Sequence, residues 1–175
     1  MGCDKIELKD YIRDIPDWPK QGILFRDITP LLAEPKAFRT AVEMMAADYI
    51  GKGIQYVAAA EARGFIFGSA VADKLNAGFV PVRKRGKLPF TTESITYELE
   101  YGSSTIEVHK DAVPAGAKVL MVDDLLATGG TIEAACKLIE KIGGKVAGLV
   151  FLIELAGLKG IDKLKKYEVK SLIKY

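Results

Sequence analysis

Apolar positions along the chain follow two alternating periods. Spacings of three and four predict helices at residues 35–50, 65–75 and 131–142. Between them, short runs of small and β-branched apolar residues predict strands at 54–60, 79–82, 118–122 and 146–153, with one more strand in the last ten residues. Strands that alternate with helices are typical of an α/β fold, in which helices flank both faces of a parallel sheet.

Two segments depart from this pattern. Prolines at 16, 19 and 30 interrupt residues 1–34, where a cluster of apolar residues predicts a small hood over the sheet. Within residues 84–110, alternation in Tyr97-Glu98-Leu99 and Ile106-Glu107-Val108 predicts a hairpin around Gly102. We expect a single domain, residues 1–175, made of a hood (1–34) and a core (35–175) with a flexible flap at about 84–110.

Charge and composition narrow the classes of partner. The 25 Lys and Arg residues nearly balance 23 Asp and Glu, and a net charge of +2 does not favour a general nucleic-acid or membrane-surface binder. No apolar stretch approaches the roughly 18 residues that span a bilayer. Cys3 and Cys136 lie far apart, and the first ten residues carry charges where a signal peptide is apolar. We therefore expect a reducing, cytoplasmic compartment.

The most informative stretch is VLMVDDLLATGGT, residues 119–131. In an open parallel sheet, ligands bind beyond the carboxyl ends of the strands, where Asp123 and Asp124 stand. Adjacent carboxylates suit hydroxyl groups, a hydrated cation or basic side chains. The following small residues let backbone N–H groups converge at a helix N-terminus and so predict a phosphate cradle. This cradle consists of Ala127, Thr128, Gly129, Gly130 and Thr131. A sugar phosphate has hydroxyls and a phosphate in this arrangement.

An alternative is that the two acids cap a helix and the two glycines only form a turn. That interpretation is the commoner one for an isolated Asp-Asp or Gly-Gly pair. The order of strand, acids and small-residue loop instead favours a ligand-binding site. The sequence GxxxxGK[ST] does not occur, and Gly51-Lys52-Gly53 has Tyr56 where the dinucleotide fingerprint needs a glycine. Nucleoside triphosphatases and dinucleotide enzymes are therefore not favoured.

Several motifs together resemble the type I phosphoribosyltransferases. VLMVDDLLATGGT is similar to the family's motif for phosphoribosyl pyrophosphate (PRPP), in the form found in adenine-using members; PDWPKQGILFRDITPLL, EARGFIFG, VRKRGKLP and YELEYG agree with it. The resemblance extends from about Ile12 to Leu172. It implies a homodimer that transfers the 5-phosphoribosyl group of PRPP to adenine with Mg²⁺, giving AMP and pyrophosphate in purine salvage.

The resemblance also implies roles for individual residues around PRPP. Asp123 and Asp124 would hold the ribose hydroxyls directly or through the magnesium shell, while Mg²⁺ is bound mostly by PRPP and water. Residues 127–131 would cradle the 5-phosphate. The leaving pyrophosphate needs positive charge, for which the candidates are Arg63, Arg83, Lys84 and Lys87. The alternative for this basic run is a solvated or RNA-binding surface.

On the side of the base, the resemblance places Glu100 as the general base or as the group that stabilises the protonated purine. Tyr101 would help to close the flap. Phe25 would stack on adenine, with the backbone of Leu24 at the adenine edge, Arg26 as an anchor for the hood and Leu155 as a second wall. We interpret Glu98, Glu107 and His109 as ordinary surface residues.

Two other functions remain open. One is a related transferase for xanthine, hypoxanthine or another base, and the other is a PRPP-sensing regulator without catalysis. A regulator would carry an additional DNA-binding domain and would lack the basic cluster and Glu100, both of which are present. The family also holds an unusual, sometimes cis, peptide in the loop that matches Glu61-Ala62-Arg63, and we expect one here.

Overall fold

The computed structural model describes residues 6–98 and 102–175. Its strands are β1 (Arg13–Ile15), β2 (Phe25–Asp27), β3 (Tyr56–Ala60), β4 (Gly78–Lys84), β5 (Thr92–Glu98), β6 (Ser103–His109), β7 (Lys118–Leu126), β8 (Lys145–Glu154) and β9 (Val169–Lys174). Its α-helices are α1 (Thr29–Ala33), α2 (Pro35–Ala46), α3 (Gly64–Lys74) and α4 (Gly130–Lys141). Short 3₁₀ helices lie at Leu8–Tyr11, Ala47–Tyr49, Ala156–Leu158 and Gly160–Leu164.

The main sheet has the strand order β5-β6-β4-β3-β7-β8-β9. The strands β4, β3, β7, β8 and β9 pair in parallel in that spatial order, as the sequence pattern predicts. The hairpin of β5 and β6 extends the sheet, because β6 pairs antiparallel with β4. The flap segment therefore does not stand apart from the sheet. It forms one edge of it.

Both faces of the parallel strands are covered, which explains their continuous apolar runs. Along β7, Leu120 and Val122 belong to the core shared with α2 and α3, whereas Val119 and Met121 belong to the core shared with α4. All four side chains are fully buried. This packing fixes the direction in which β7 delivers the polar residues at its carboxyl end.

The N-terminal segment is tied to the main core. β1 and β2 form a small antiparallel sheet of their own, and Leu31 of α1 packs in the same core as Met45 of α2. Pro30 lies in the first turn of α1, where proline is tolerated. The helix predicted at 35–50 ends earlier, at Ala46, and continues as a 3₁₀ turn.

Among the described residues, no helix is both long and apolar enough to cross a membrane.

Candidate active site

A cleft of about 280 Å³ lies at the carboxyl ends of β3 and β7. It is lined by Ala60, Glu61, Ala62, Arg63, Asp123, Asp124, Leu125, Leu126, Ala127, Thr128, Gly129, Gly130, Thr131 and Ile132. The two loops that sequence analysis singled out, after β3 and after β7, thus face each other across one cavity. The acids, the predicted phosphate cradle and Arg63 are brought together there.

The two aspartates lie deep in this cleft. Asp124 is only 5% exposed, and its Oδ2 lies 2.8 Å from the Nε of Arg63. Burial raises the pKa of Asp123 well above its usual value, and the neighbouring Asp124 raises it further. Burial also raises the pKa of Asp124, against the opposing effect of Arg63. The pair is therefore short of compensating charge and is suited to hydroxyl donors or a cation.

Gly64 explains how the β3 loop comes so close to the acids. A Cβ at this position would lie 2.6 Å from Oδ1 of Asp123, so a side chain would not fit. The same loop contains the Glu61–Ala62 peptide, which is cis, as the resemblance led us to expect.

The predicted phosphate cradle runs into the N-terminus of α4. Gly129 has a φ of +78°, a conformation that favours glycine, and α4 begins at Gly130. A helix N-terminus carries unpaired N–H groups and a partial positive charge, which suits a phosphate. The Thr131 hydroxyl lies 3.0 Å from the hydroxyl of Tyr97, so the β5 strand contacts the cradle directly.

The basic run at residues 83–87, which begins at the end of β4, is linked to the cleft by Glu61. One oxygen of Glu61 accepts a hydrogen bond from Arg83 Nε at 2.7 Å, and the other accepts one from the Lys84 N–H at 3.0 Å. Although burial opposes it, these contacts lower the pKa of Glu61. The side chains of Lys84 and Lys87 are exposed. Arg63 lines the cleft itself, whereas Arg83, Lys84 and Lys87 are not among the residues that line it.

The residues predicted to hold the base come from both ends of the chain. Phe25 is half-buried between the edge of Trp18, with centroids 4.4 Å apart, and the guanidinium of Arg63, 5.4 Å from its ring. Leu24 is 44% exposed. Leu155 is half-buried, and its N–H donates to Leu126 O at the cleft.

Arg26 has its own partners. It forms an ion pair with Asp14 and lies over the ring of Tyr175, 3.7 Å from the centroid. It thus connects the hood to the end of β9.

Other predicted positions had different outcomes. Glu100 and Tyr101 lie outside the described residues. The interpretation of Glu107 as a surface residue was wrong, because it is 4% exposed. His109 is half-buried: its Nε2 is buried, and its ring meets Phe90 edge-on at 6.2 Å. Sequence reasoning assigned no role to Glu61, whose contacts depend on the pairing of β3 with β4.

Comparison with known proteins gives consistent matches. Residues 31–174 match the family model described as "Phosphoribosyl transferase domain". The adenine phosphoribosyltransferase of Rhodopirellula baltica is 55% identical over 170 residues, which cover 97% of this chain and 82% of that protein.

Solved structures agree in fold. That of adenine phosphoribosyltransferase from Thermoanaerobacter pseudethanolicus superposes with a TM-score of 0.93 at 55% identity, covering 96% of this chain and 98% of that one. The Saccharomyces cerevisiae enzyme, solved with adenine and an imino-altritol bisphosphate, gives 0.89 at 40% identity and covers 94% and 96%. Because the family model and these relatives span nearly the whole chain, the protein belongs to the adenine phosphoribosyltransferases, within the phosphoribosyltransferase family.

Proposed function

We propose that the protein transfers the 5-phosphoribosyl group of PRPP to adenine, forming AMP and pyrophosphate in purine salvage. The observation that carries this proposal is the cleft in which Asp123 and Asp124 stand between Arg63 and a phosphate cradle. The three features match the ribose hydroxyls, the pyrophosphate and the 5-phosphate of one ligand. Membership of the adenine phosphoribosyltransferases supports adenine as the acceptor.

In this proposal Asp123 and Asp124 bind the 2- and 3-hydroxyls of the ribose. Hydroxyl donors compensate the charge of two carboxylates that burial otherwise penalises. Residues 127–131 bind the 5-phosphate through backbone N–H groups and the hydroxyls of Thr128 and Thr131. PRPP is then held both by its ribose hydroxyls and by its 5-phosphate.

Mg²⁺ would be held by PRPP oxygens and water, with Asp123 and Asp124 as the protein's contribution. Among the described residues, no group of three or more His, Cys, Asp or Glu side chains is arranged to hold a metal. Mg²⁺ usually binds one or two carboxylates plus substrate phosphates. The buried Oδ2 of Asp124 is paired with Arg63 at 2.8 Å, so a cation shell would share this carboxylate with Arg63. The ion would supply charge neutralisation for the leaving pyrophosphate.

The protein's own cations would complete the pyrophosphate site. Arg63 already lies in the cleft, Arg83 and Lys84 end the neighbouring strand β4, and Lys87 follows it. Positive charge at this place stabilises the leaving group in the transition state more than in the ground state, which is the requirement for catalysis.

The base would stack on Phe25, with the Leu24 backbone at its edge and Leu155 as the opposite wall. Arg26 would keep the hood in place through Asp14 and Tyr175. Glu100 would take the proton from the attacking nitrogen or stabilise the protonated purine, and Tyr101 would help the flap to exclude water.

The role of Glu100 can be tested separately. Glu100→Gln removes the base but keeps the size of the side chain, so we expect turnover to fall by about 10²-fold or more with little change in PRPP affinity. Single-turnover kinetics and a PRPP titration measure the two quantities. Unchanged turnover would remove Glu100 from catalysis.

We further propose that residues 1–175 form one domain with a hood (1–34), a core (35–175) and a flap at about 84–110. The resemblance to the family supports a homodimer that works in the cytoplasm. Sedimentation velocity tests the dimer.

The substrate is tested by incubating the protein with PRPP, Mg²⁺ and each purine or pyrimidine base in turn, and detecting the nucleotide formed. We expect AMP from adenine. A product from hypoxanthine or xanthine instead would identify the related transferase, and PRPP binding without any product would indicate a regulator.

A further inference from the structure

Glu107 lies on β6, next to the loop of residues 85–91 that joins β4 to β5. We propose that Glu107 is a positioning residue: it fixes the backbone of this basic loop and thereby sets the affinity for the pyrophosphate group of PRPP. The inference rests on the proposed function, in which Lys84 and Lys87 bind pyrophosphate.

The carboxylate of Glu107 is buried and faces the loop. It is 4% exposed, and its Oε1 accepts hydrogen bonds from the N–H groups of Lys87 and Leu88, both at 3.1 Å. Its Oε2 lies 3.4 Å from the Thr92 hydroxyl. A buried charge is costly unless it is hydrogen-bonded, and bonds to a charged acceptor are stronger than neutral ones. The loop backbone therefore gains a strong, directional attachment to the sheet.

Arg83 holds the same loop from its other side. It stands directly opposite Glu107 in the pairing of β4 with β6, so both side chains project from one face of the sheet. Its Nη1 donates to Lys87 O at 3.3 Å, while the Lys87 N–H also approaches Lys84 O at 3.3 Å. Both backbone groups of Lys87 are thus bound, and its side chain remains exposed.

These contacts continue to the active-site cleft. Arg83 Nε binds Glu61, whose second oxygen accepts the Lys84 N–H, and Glu61 itself lines the cleft. Hydrogen bonds thus connect Glu107 to the Lys87 backbone, the Lys87 backbone to Arg83, and Arg83 to Glu61 at the cavity. These bonds hold the loop cations at a fixed distance from the cleft before any ligand arrives. Such preorganisation lowers the entropy cost of binding a polyanion.

The role predicts a selective loss of affinity. PRPP carries a pyrophosphate and AMP does not, whereas both use the 5-phosphate cradle. In Glu107→Ala, two backbone N–H groups lose their acceptor and the loop loosens. We expect PRPP affinity to fall about tenfold and AMP affinity to change less than about twofold, on the scale of one or two hydrogen bonds. Calorimetric titrations with PRPP plus Mg²⁺ and with AMP give both values.

Further variants make the test decisive. Glu107→Gln keeps an oxygen of the same reach, so it should retain most of the PRPP affinity. Glu107→Met fills a similar space without an acceptor, so it replaces the alanine variant if that protein does not fold and should show the same selective loss. Glu93→Ala is the matched control, because Glu93 is a hairpin carboxylate on β5 that pairs with Lys141 and Lys110 outside the loop. It should bind both ligands normally.

Equal losses for PRPP and AMP, or unchanged PRPP affinity, would overturn the positioning role. The double variant Lys84→Ala with Lys87→Ala separates this failure from that of the proposed function. If it leaves PRPP affinity intact, these lysines do not bind pyrophosphate, and both that assignment and the positioning role of Glu107 fall. If it weakens PRPP but Glu107→Ala does not, only the role of Glu107 is overturned.

Discussion

At the scale of single residues, Asp123 and Asp124 stand in a cleft that penalises their charge. Burial, with Asp124 as a neighbour, raises the pKa of Asp123. A carboxyl with a higher pKa in the folded than in the unfolded protein binds its proton more tightly when folded. Its contribution to the free energy of unfolding is complete below the ordinary Asp pKa of about 4 and is lost as the pH rises through the raised pKa. The carboxyl of Asp123 therefore makes the empty protein less stable at neutral pH than at pH 4.

We predict that Asp123→Asn stabilises the empty protein at pH 7, by about 1 kcal/mol or about 3 °C in Tm, while weakening PRPP binding. The gain should shrink as the pH is lowered toward 4, because the wild-type carboxyl is then protonated. Thermal denaturation between pH 4 and 8 measures it. Asp111→Asn, at an exposed position, is the control and should show no such gain. A gain equal at pH 4 and pH 7 would contradict the electrostatic explanation.

Phe25 offers an aromatic face next to Arg63 at the cleft. Stacking of a base on an aromatic ring is worth about 1–3 kcal/mol, so Phe25→Ala should raise the KM for adenine about tenfold and leave the KM for PRPP nearly unchanged. Initial rates with each substrate varied in turn distinguish the two constants. Ile23→Ala, in the same segment, should affect neither. If the adenine KM stays at the wild-type value in Phe25→Ala, the base lies elsewhere.

At the scale of elements, the sequence predicts those features that depend on neighbours along the chain. The strand at 118–122, the helix that starts near Thr131 and the hairpin around Gly102 follow from local periodicity and turn residues, and the structure contains each of them. The acids and the cradle could be predicted because they adjoin the apolar run of β7 in the sequence: the acids lie in the last part of the strand, which extends to Leu126, and the cradle follows it.

Features that depend on strand pairing could not be predicted in this way. Glu61 meets Arg83 only because β3 lies beside β4, and Glu107 meets the Lys87 backbone only because β6 pairs with β4. From the sequence alone, both acids look like surface residues. No local pattern states which distant backbone a buried carboxylate will bind.

The phosphate cradle rests on a second element, the 3₁₀ helix Gly160–Leu164. A Cβ at Gly160 would overlap Ala127 O and lie 2.9 Å from Gly129 N, so the two backbones are in direct contact. Gly160→Ala should therefore displace the cradle and weaken AMP binding about tenfold, with a loss of stability of about 1–3 kcal/mol from overpacking. Gly157→Ala is the control, since nothing lies within 4 Å of a Cβ there. Normal AMP affinity in Gly160→Ala would show that the cradle does not depend on this contact.

At the scale of the whole molecule, the proposed base site depends on the attachment of the hood to the end of β9. Tyr175 lies between two cations of the N-terminal segment, with Arg26 Cζ 3.7 Å and Lys9 Nζ 4.8 Å from its ring centroid. Each cation–π contact is worth about 0.5–1 kcal/mol at an exposed site. Together they stabilise the position of β2, which carries Phe25.

Tyr175→Ala removes both contacts but leaves the backbone hydrogen bonds of Tyr175 with Glu154 and Ala156 in place. The hood should then open more often, so we expect a KM for adenine about threefold to tenfold higher, little change in PRPP affinity, and faster cleavage of the hood in limited proteolysis. Tyr175→Phe keeps the ring and should behave like the wild type. If Tyr175→Ala leaves both the adenine KM and the cleavage rate unchanged, the hood is held by its apolar packing through Leu31 and the cation–π contacts are incidental.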